Sequence, residues 1–161
     1  MQSRPDTLRQ RIEQFRATLK QSGVRLTHQR MTIFREVARL EDHPDAESVY
    51  KRVRKNMPMV SLDTVYRTLW LLQDLGVIRA LGVRDRVRFD GNAQPHHHFV
   101  CRVCGSMSDF YSSEYDRLRI PKAAKALGNT ETAQVEVQGI CIKCSRKSNL
   151  LKGALRAKER K

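Results

Sequence analysis

Two Cys-x-x-Cys pairs, Cys101/Cys104 and Cys141/Cys144, constrain this 161-residue chain more than any other feature. The cytosol keeps thiols reduced, and no apolar run of about 18 residues or apolar leader segment appears, so a soluble cytoplasmic protein is expected. In that setting paired thiols read as metal ligands before they read as disulfides. Together they offer a tetrahedral thiolate set, the usual closed structural zinc site, with an iron-sulfur cluster or redox disulfides as lesser rivals. Thirty-six residues separate the pairs, so a shared ion would clip the start of a small domain to its end. Four protein ligands leave no open coordination position, and that ion is therefore structural rather than catalytic.

Three of the five histidines stand directly before the first pair, in Pro95-His96-His97-His98-Phe99-Val100-Cys101. If the stretch is a strand, His96 and His98 share one face while His97 and Phe99 take the other. Two imidazoles make half a site. Asp90, Asp109 and His43, each at the edge of a segment, are the candidates to complete it, and such a nitrogen and carboxylate set suits Fe(II), Mn(II) or Zn(II).

The net charge of +14 is unevenly distributed. Residues 1–91 hold 18 basic and 11 acidic residues, 92–142 hold five of each, and 143–161 hold eight and one. A basic first half and tail around a neutral middle suggest a polyanion partner. Helical spacing predicts a helix through Leu8, Ile12, Phe15 and Leu19 opened at Pro5-Asp6. A second is capped by Thr27, a third by Asp45, and a fourth is capped by Ser61 and ended by Gly76. The period then changes to that of strands, 77–81 and 86–90 around a turn. Three or four helices and a basic hairpin outline a winged helix-turn-helix in which the helix at 61–75 enters the major groove. The expected DNA contacts are Thr64, Tyr66 and Arg67 on that helix, Arg86 and Arg88 on the wing, and Arg25 in the minor groove. The fold class is thus α+β. A winged-helix DNA-binding domain covers 1–91, with a hinge at about 91–95 that is rich in turn residues. A small α/β metal-binding domain, of a size that usually needs a metal staple or a partner subunit, covers 96–145, and a basic tail covers 146–161. Within the second domain the pattern predicts strands at 96–102, 106–111 and 132–140 and a helix over 113–127.

The series Gly23-Val-Arg-Leu-Thr-His-Gln-Arg30, His43-Pro-Asp-Ala-Glu47, Ser61-Leu-Asp-Thr-Val-Tyr-Arg-Thr-Leu69, Arg88-Phe-Asp90, the His96-to-Gly105 segment and Cys141-Ile-Lys-Cys144 resembles the ferric uptake regulator superfamily over about residues 8–145. The resemblance implies a bacterial homodimeric, metal-dependent repressor. Position by position it matches Cys101, Cys104, Cys141 and Cys144 to the structural zinc, and His43, Asp90, His96, His98 and Asp109 to a regulatory Fe(II) or Mn(II). It implies binding of a homodimer to an A·T-rich inverted repeat of operator DNA. Asp109 stands where the iron-responsive branch usually has Glu, and resembles the peroxide-responsive branch, whose Fe(II) oxidises its own ligand histidines; His43 and His96 match the oxidised positions. Iron-responsive and zinc-responsive uptake repressors are the alternatives. The chain departs from the pattern in lacking histidine over 129–140, where many members hold part of an additional metal site. It also has His28 for a frequent Pro, Trp70 for a usual Asn, and a longer basic tail.

Outside the resemblance, His43, His96, His98 and a carboxylate also suggest a zinc hydrolase, although no general base stands apart from the ligands. A zinc-storage or RNA-binding module would show only salt-dependent affinity.

Overall fold

The structure, a computed structural model, describes residues 7–39, 43–82, 87–92, 94–130 and 133–147. It divides into two compact units, Ser3–Gln94 and a second that starts at Pro95. The first holds four helices, α1 (Leu8–Gln21), α2 (His28–Ala38), α3 (Ala46–Asn56) and α4 (Leu62–Asp74). Each begins at a residue whose side-chain oxygen accepts a backbone N–H three positions on, which satisfies a donor the helix leaves unpaired. Thr7, Thr27, Asp45 and Ser61 fill this role, and Gln10 answers Thr7 to form a capping box. The helix expected to open at Pro5-Asp6 is described only from Thr7 onward. α4 ends where Gly76 takes φ 67°, the left-handed region that costs glycine nothing. Burial would push the Asp45 carboxyl up, but its bonds from Ser48 and the positive charges of Arg88 and Lys51 hold it below its ordinary value.

The apolar stripes of these helices meet in one core. Phe15 stacks on Phe34 with ring centroids 4.3 Å apart, and Val49, Val53, Val65, Leu69 and Leu72 are fully buried around them. An antiparallel hairpin of β1 (Arg79–Leu81) and β2 (Arg88–Asp90) follows, with Ala80 opposite Phe89. Phe89 points into the core while Arg88 does not, in keeping with the strand alternation. This is a winged helix, with strands shorter than the predicted 77–81 and 86–90; residues 83–86, including Arg86, lie outside the described residues. β2 is anchored on both sides. Gly91 approaches α2 so closely that a Cβ there would lie 2.8 Å from the Ala38 Cα. The Phe89 N–H donates to the Pro44 carbonyl at 2.9 Å.

The second unit is a three-stranded sheet in the order β4-β3-β5, with β3 (His97–Cys101) in the middle. β4 (Met107–Phe110) is antiparallel to it, placing His98 opposite Asp109. β5 (Glu136–Gly139) is parallel, placing Cys101 opposite Gly139. The helix expected over 113–127 is corrected to two separate turns, α5 (Ser113–Asp116) and α6 (Lys122–Lys125), neither of which buries a residue. Pro121 is the cause: its ring lacks an N–H and disfavours helical geometry at Ile120. Residues 142–147 are helical, and 148–161, most of the basic tail, lie outside the described residues.

The two units are stabilised differently. Every residue of the apolar core cluster lies in the first, whereas the second buries only Cys101 and Met107 among its described hydrophobic side chains. Replacing Gly91 by Ala should lower stability by about 1–3 kcal/mol through the backbone clash, whereas Gly128→Ala, with no atom within 4 Å, should be neutral. Urea unfolding curves of the two variants against the parent chain check both.

Candidate metal centres

The four cysteines converge at one end of the sheet, each offering a sulfur within 4.8 Å of the others. Cys101 closes β3, and the tight turn after it returns the chain through Gly105, at φ 68°, whose N–H donates to the Cys101 carbonyl at 2.7 Å. Parallel pairing of β5 with β3 carries the end of β5 to the same place, so that Cys141 and Cys144 arrive beside the first pair. Sulfurs of Cys104 and Cys141 are 3.8 Å apart. The Cys141 N–H donates to the Cys101 sulfur at 3.3 Å; with the N–H of Cys104 it pulls the Cys101 thiol down to about 6. Cys144 is pushed up to about 12, first by its contact with the Cys104 sulfur and then by Cys141 and burial. Four thiols this close cannot all ionise unaided, and a divalent cation removes the conflict because a coordinating thiol is deprotonated outright. A closed tetrathiolate is the donor set that Zn(II) takes in structural sites.

A second donor set lies on the other part of β3. His96 and His98, two residues apart, place their Nε2 atoms 2.9 Å from each other, with rings nearly perpendicular. Asp109, opposite His98 on β4, brings a carboxylate oxygen to 3.4 Å from His96 Nε2 and 3.6 Å from His98 Nε2. Two ligands on one ion with bonds of about 2.1 Å sit roughly 3 to 3.5 Å apart. All three fit one cation. Both imidazoles are buried, and the Tyr111 ring lies 6.1 Å from that of His96.

The first unit carries its own pair. His43 and Asp90, both buried, approach to 3.9 Å between Nε2 and a carboxylate oxygen. His43 has φ 46°, an uncommon conformation for a residue other than glycine and one that costs backbone energy. The turn is held there by β2: the Arg88 guanidinium donates to the His43 carbonyl at 3.1 Å, beside the bond from Phe89 to Pro44. Asp90 is fixed by accepting the Asn92 N–H at 2.7 Å. The residue spacing pointed to His43 and Asp90 but not to Arg88, Pro44 and Asn92, which set their positions; nothing in the spacing of a sequence marks a carbonyl as an anchor.

His97, given no role by the sequence, points away from His96 and His98 as alternation requires. Its Nδ1 accepts the Val135 N–H at 3.3 Å, its Nε2 faces Asp116 at 3.2 Å, and its ring packs against Phe110 and Tyr115. It ties β3 to the segment entering β5 and to α5. Among the expected DNA contacts, Tyr66 and Arg67 are exposed on α4, and Arg67 pairs with Asp63 at 3.0 Å. Thr64 is half-buried and within 2.8 Å of the Ser61 hydroxyl. Arg25 is exposed with its carbonyl accepting from Arg30, Arg88 is engaged at the His43 turn, and Arg86 lies outside the described residues.

The purified chain should carry one zinc per subunit by elemental analysis. Cys101→Ser or Cys141→Ser should lose it together with the ordered β-structure of the second unit; zinc and circular dichroism unchanged in both variants would contradict the assignment.

A profile of the Ferric uptake regulator family matches residues 21–138. The peroxide-responsive repressor PerR of Staphylococcus aureus is 31% identical over 146 residues, covering 88% of this chain and 97% of the repressor. A zinc-bound manganese uptake regulator is similar in structure, with a TM-score of 0.61 at 32% identity over 79% of this chain and 98% of that one. The Helicobacter pylori ferric uptake regulator shares the fold, with a TM-score of 0.67 at 21% identity over 89% and 97% of the two chains. The chain belongs to the ferric uptake regulator family of metal-responsive regulators.

Proposed function

We propose that this chain is a homodimeric repressor that binds operator DNA when His43, Asp90, His96, His98 and Asp109 hold one Fe(II) or Mn(II), and that peroxide releases it by oxidising a ligand histidine. One observation carries the reading: buried nitrogen and carboxylate donors of the same chemistry occur in both units, His43 with Asp90 in the winged helix and His96 and His98 with Asp109 in the sheet. An ion shared by both sets favours one relative arrangement of the units. Moving a DNA-competent arrangement from a 1:99 minority to a 99:1 majority takes roughly 5.5 kcal/mol of differential binding, within reach when one arrangement completes the coordination and the other loses two ligands.

In this reading residues 1–91 form the DNA-binding domain, and α4 presents Tyr66 and Arg67 to an A·T-rich inverted repeat. Residues 96–145 form the dimerisation domain. Support for the dimer comes from the second unit's exposed apolar side chains, Leu118, Leu127, Ile140 and Ile142, which its own core does not cover. Asp109 and the similarity to PerR favour peroxide sensing over iron or zinc uptake control. A bound Fe(II) would supply the one-electron chemistry that activates peroxide, with no net change of the iron. The imidazole of His43 or His96 would give up two electrons and gain one peroxide oxygen, the other leaving as water, and the oxidised ring is a poorer ligand.

Fluorescence anisotropy on such a repeat should show Mn(II) tightening binding by at least about 100-fold, with His43→Ala retaining only salt-dependent, metal-independent affinity. DNA binding that ignores metal would end the proposal. Because neutral imidazole is the ligand form, protons compete with Mn(II) for the ring nitrogens, and Mn(II) affinity should weaken as pH falls, checked by calorimetry. Fe(II) loading and a peroxide pulse should add 16 Da, one oxygen atom, to the peptide holding His43 or His96 by mass spectrometry, while Mn(II) loading should not. An iron-loaded chain that stays unmodified is instead an uptake regulator.

A further inference from the structure

Trp70 is the chain's one tryptophan, and neither metal binding nor the DNA contacts above use it. It stands on the outer face of α4, one turn after Tyr66, and is 44% exposed. Its ring meets that of Phe89 edge-on, with centroids 5.9 Å apart and planes at 78°. Phe89 is the middle residue of β2 and is 1% exposed. Its backbone N–H holds the Pro44 carbonyl, its neighbour Arg88 holds the His43 carbonyl, and its other neighbour is Asp90. Two contacts therefore lead, wholly within the first unit, from the exposed face of α4 to both metal ligands of that unit.

The surroundings of the indole decide what such a path transmits. Most of this core is close-packed and yields little. Beside Trp70 there is instead a cleft open to solvent, of about 430 Å³, lined by Asp45, Tyr66, Val87 and Phe89 among others. A shift of β2, bonded as it is to the His43 turn, is resisted by Gly91 against α2 and taken up where space exists. That space is at the Trp70 ring.

We infer that Trp70 is the positioning residue that couples the metal ligands His43 and Asp90 to the DNA-reading face of α4. This rests on the regulator reading above. Ligation of a cation fixes the His43 turn and the end of β2 together, Phe89 moves with them, and the edge-on contact sets the indole and with it the neighbouring Tyr66. With a small side chain at 70, Phe89 moves toward the cleft and α4 is left unaffected. Such coupling is reciprocal, so DNA tightens Mn(II) binding by the same factor that Mn(II) tightens DNA binding.

The test uses the full chain and its Trp70→Phe and Trp70→Ala variants, with Mn(II) as the probe. DNA affinity is measured with and without Mn(II), and Mn(II) affinity without DNA. Trp70→Ala should cut the Mn(II)-induced gain in DNA affinity by about 10-fold or more while the metal-free DNA affinity and the DNA-free Mn(II) affinity stay close to those of the parent. Trp70→Phe should restore most of the gain, and parent tryptophan emission should change saturably with Mn(II). A Trp70→Ala gain equal to the parent's overturns the inference alone. So does a loss of DNA affinity that is equal with and without metal, which marks a direct contact. A parent chain whose DNA affinity ignores Mn(II) overturns the regulator reading and this inference with it. Trp70→Leu, apolar but without the ring, replaces Trp70→Ala should circular dichroism show the latter unfolded.

Discussion

Strand alternation along β3 is the constraint on which the second unit depends. Five successive residues place His98 on one face, His97 on the other and Cys101 at the end, with His96 just before the strand continuing the first face. One face carries cation donors, the opposite face carries the His97 packing that ties β3 to α5 and to the approach to β5, and the end carries the thiols. A slip of one residue in register would exchange the faces and remove Asp109 from opposite His98. The antiparallel pairing with β4 is what fixes that register, and the parallel pairing with β5 is what returns Cys141 to Cys101.

The two units reach stability by different routes, and the difference bears on function. The winged helix has four capped helices around stacked Phe15 and Phe34, enough apolar burial to hold its own shape. Among its described residues the sheet unit of about 50 residues has no comparable core, and small domains of this kind lean on a metal staple or a partner subunit. Backbone N–H groups pull the Cys101 thiol down while the neighbouring sulfurs push the Cys144 thiol up, a conflict that a divalent cation removes. Closing 36 residues between the two pairs is the service such a cation renders.

Much of this was legible in the residues, and what was not has physical reasons. Caps at Thr27, Asp45 and Ser61 marked the helix starts because each supplies a donor-satisfying oxygen at the position that needs one. The thiol and imidazole groups declared themselves by spacing. The helix predicted over 113–127 is interrupted because the backbone effect of Pro121 outranks a weak apolar stripe. The parallel β3-β5 register could not be read, since no local signal says which distant strand becomes a neighbour. Arg88 illustrates the same limit: nothing local to a basic wing residue marks its guanidinium as a donor to the His43 carbonyl, a contact between residues 45 apart. His43 in the left-handed region is likewise a product of tertiary anchoring rather than of its own preference.

In the proposed function one ion takes donors from both units. A crystal structure with Mn(II), using anomalous scattering to locate the metal, tests it most directly. The expected result is a single manganese in the regulatory site, with His43 and Asp90 coordinated together with His96, His98 and Asp109. Manganese bound by His96, His98 and Asp109 alone, its remaining positions filled by water and His43 elsewhere, would contradict it.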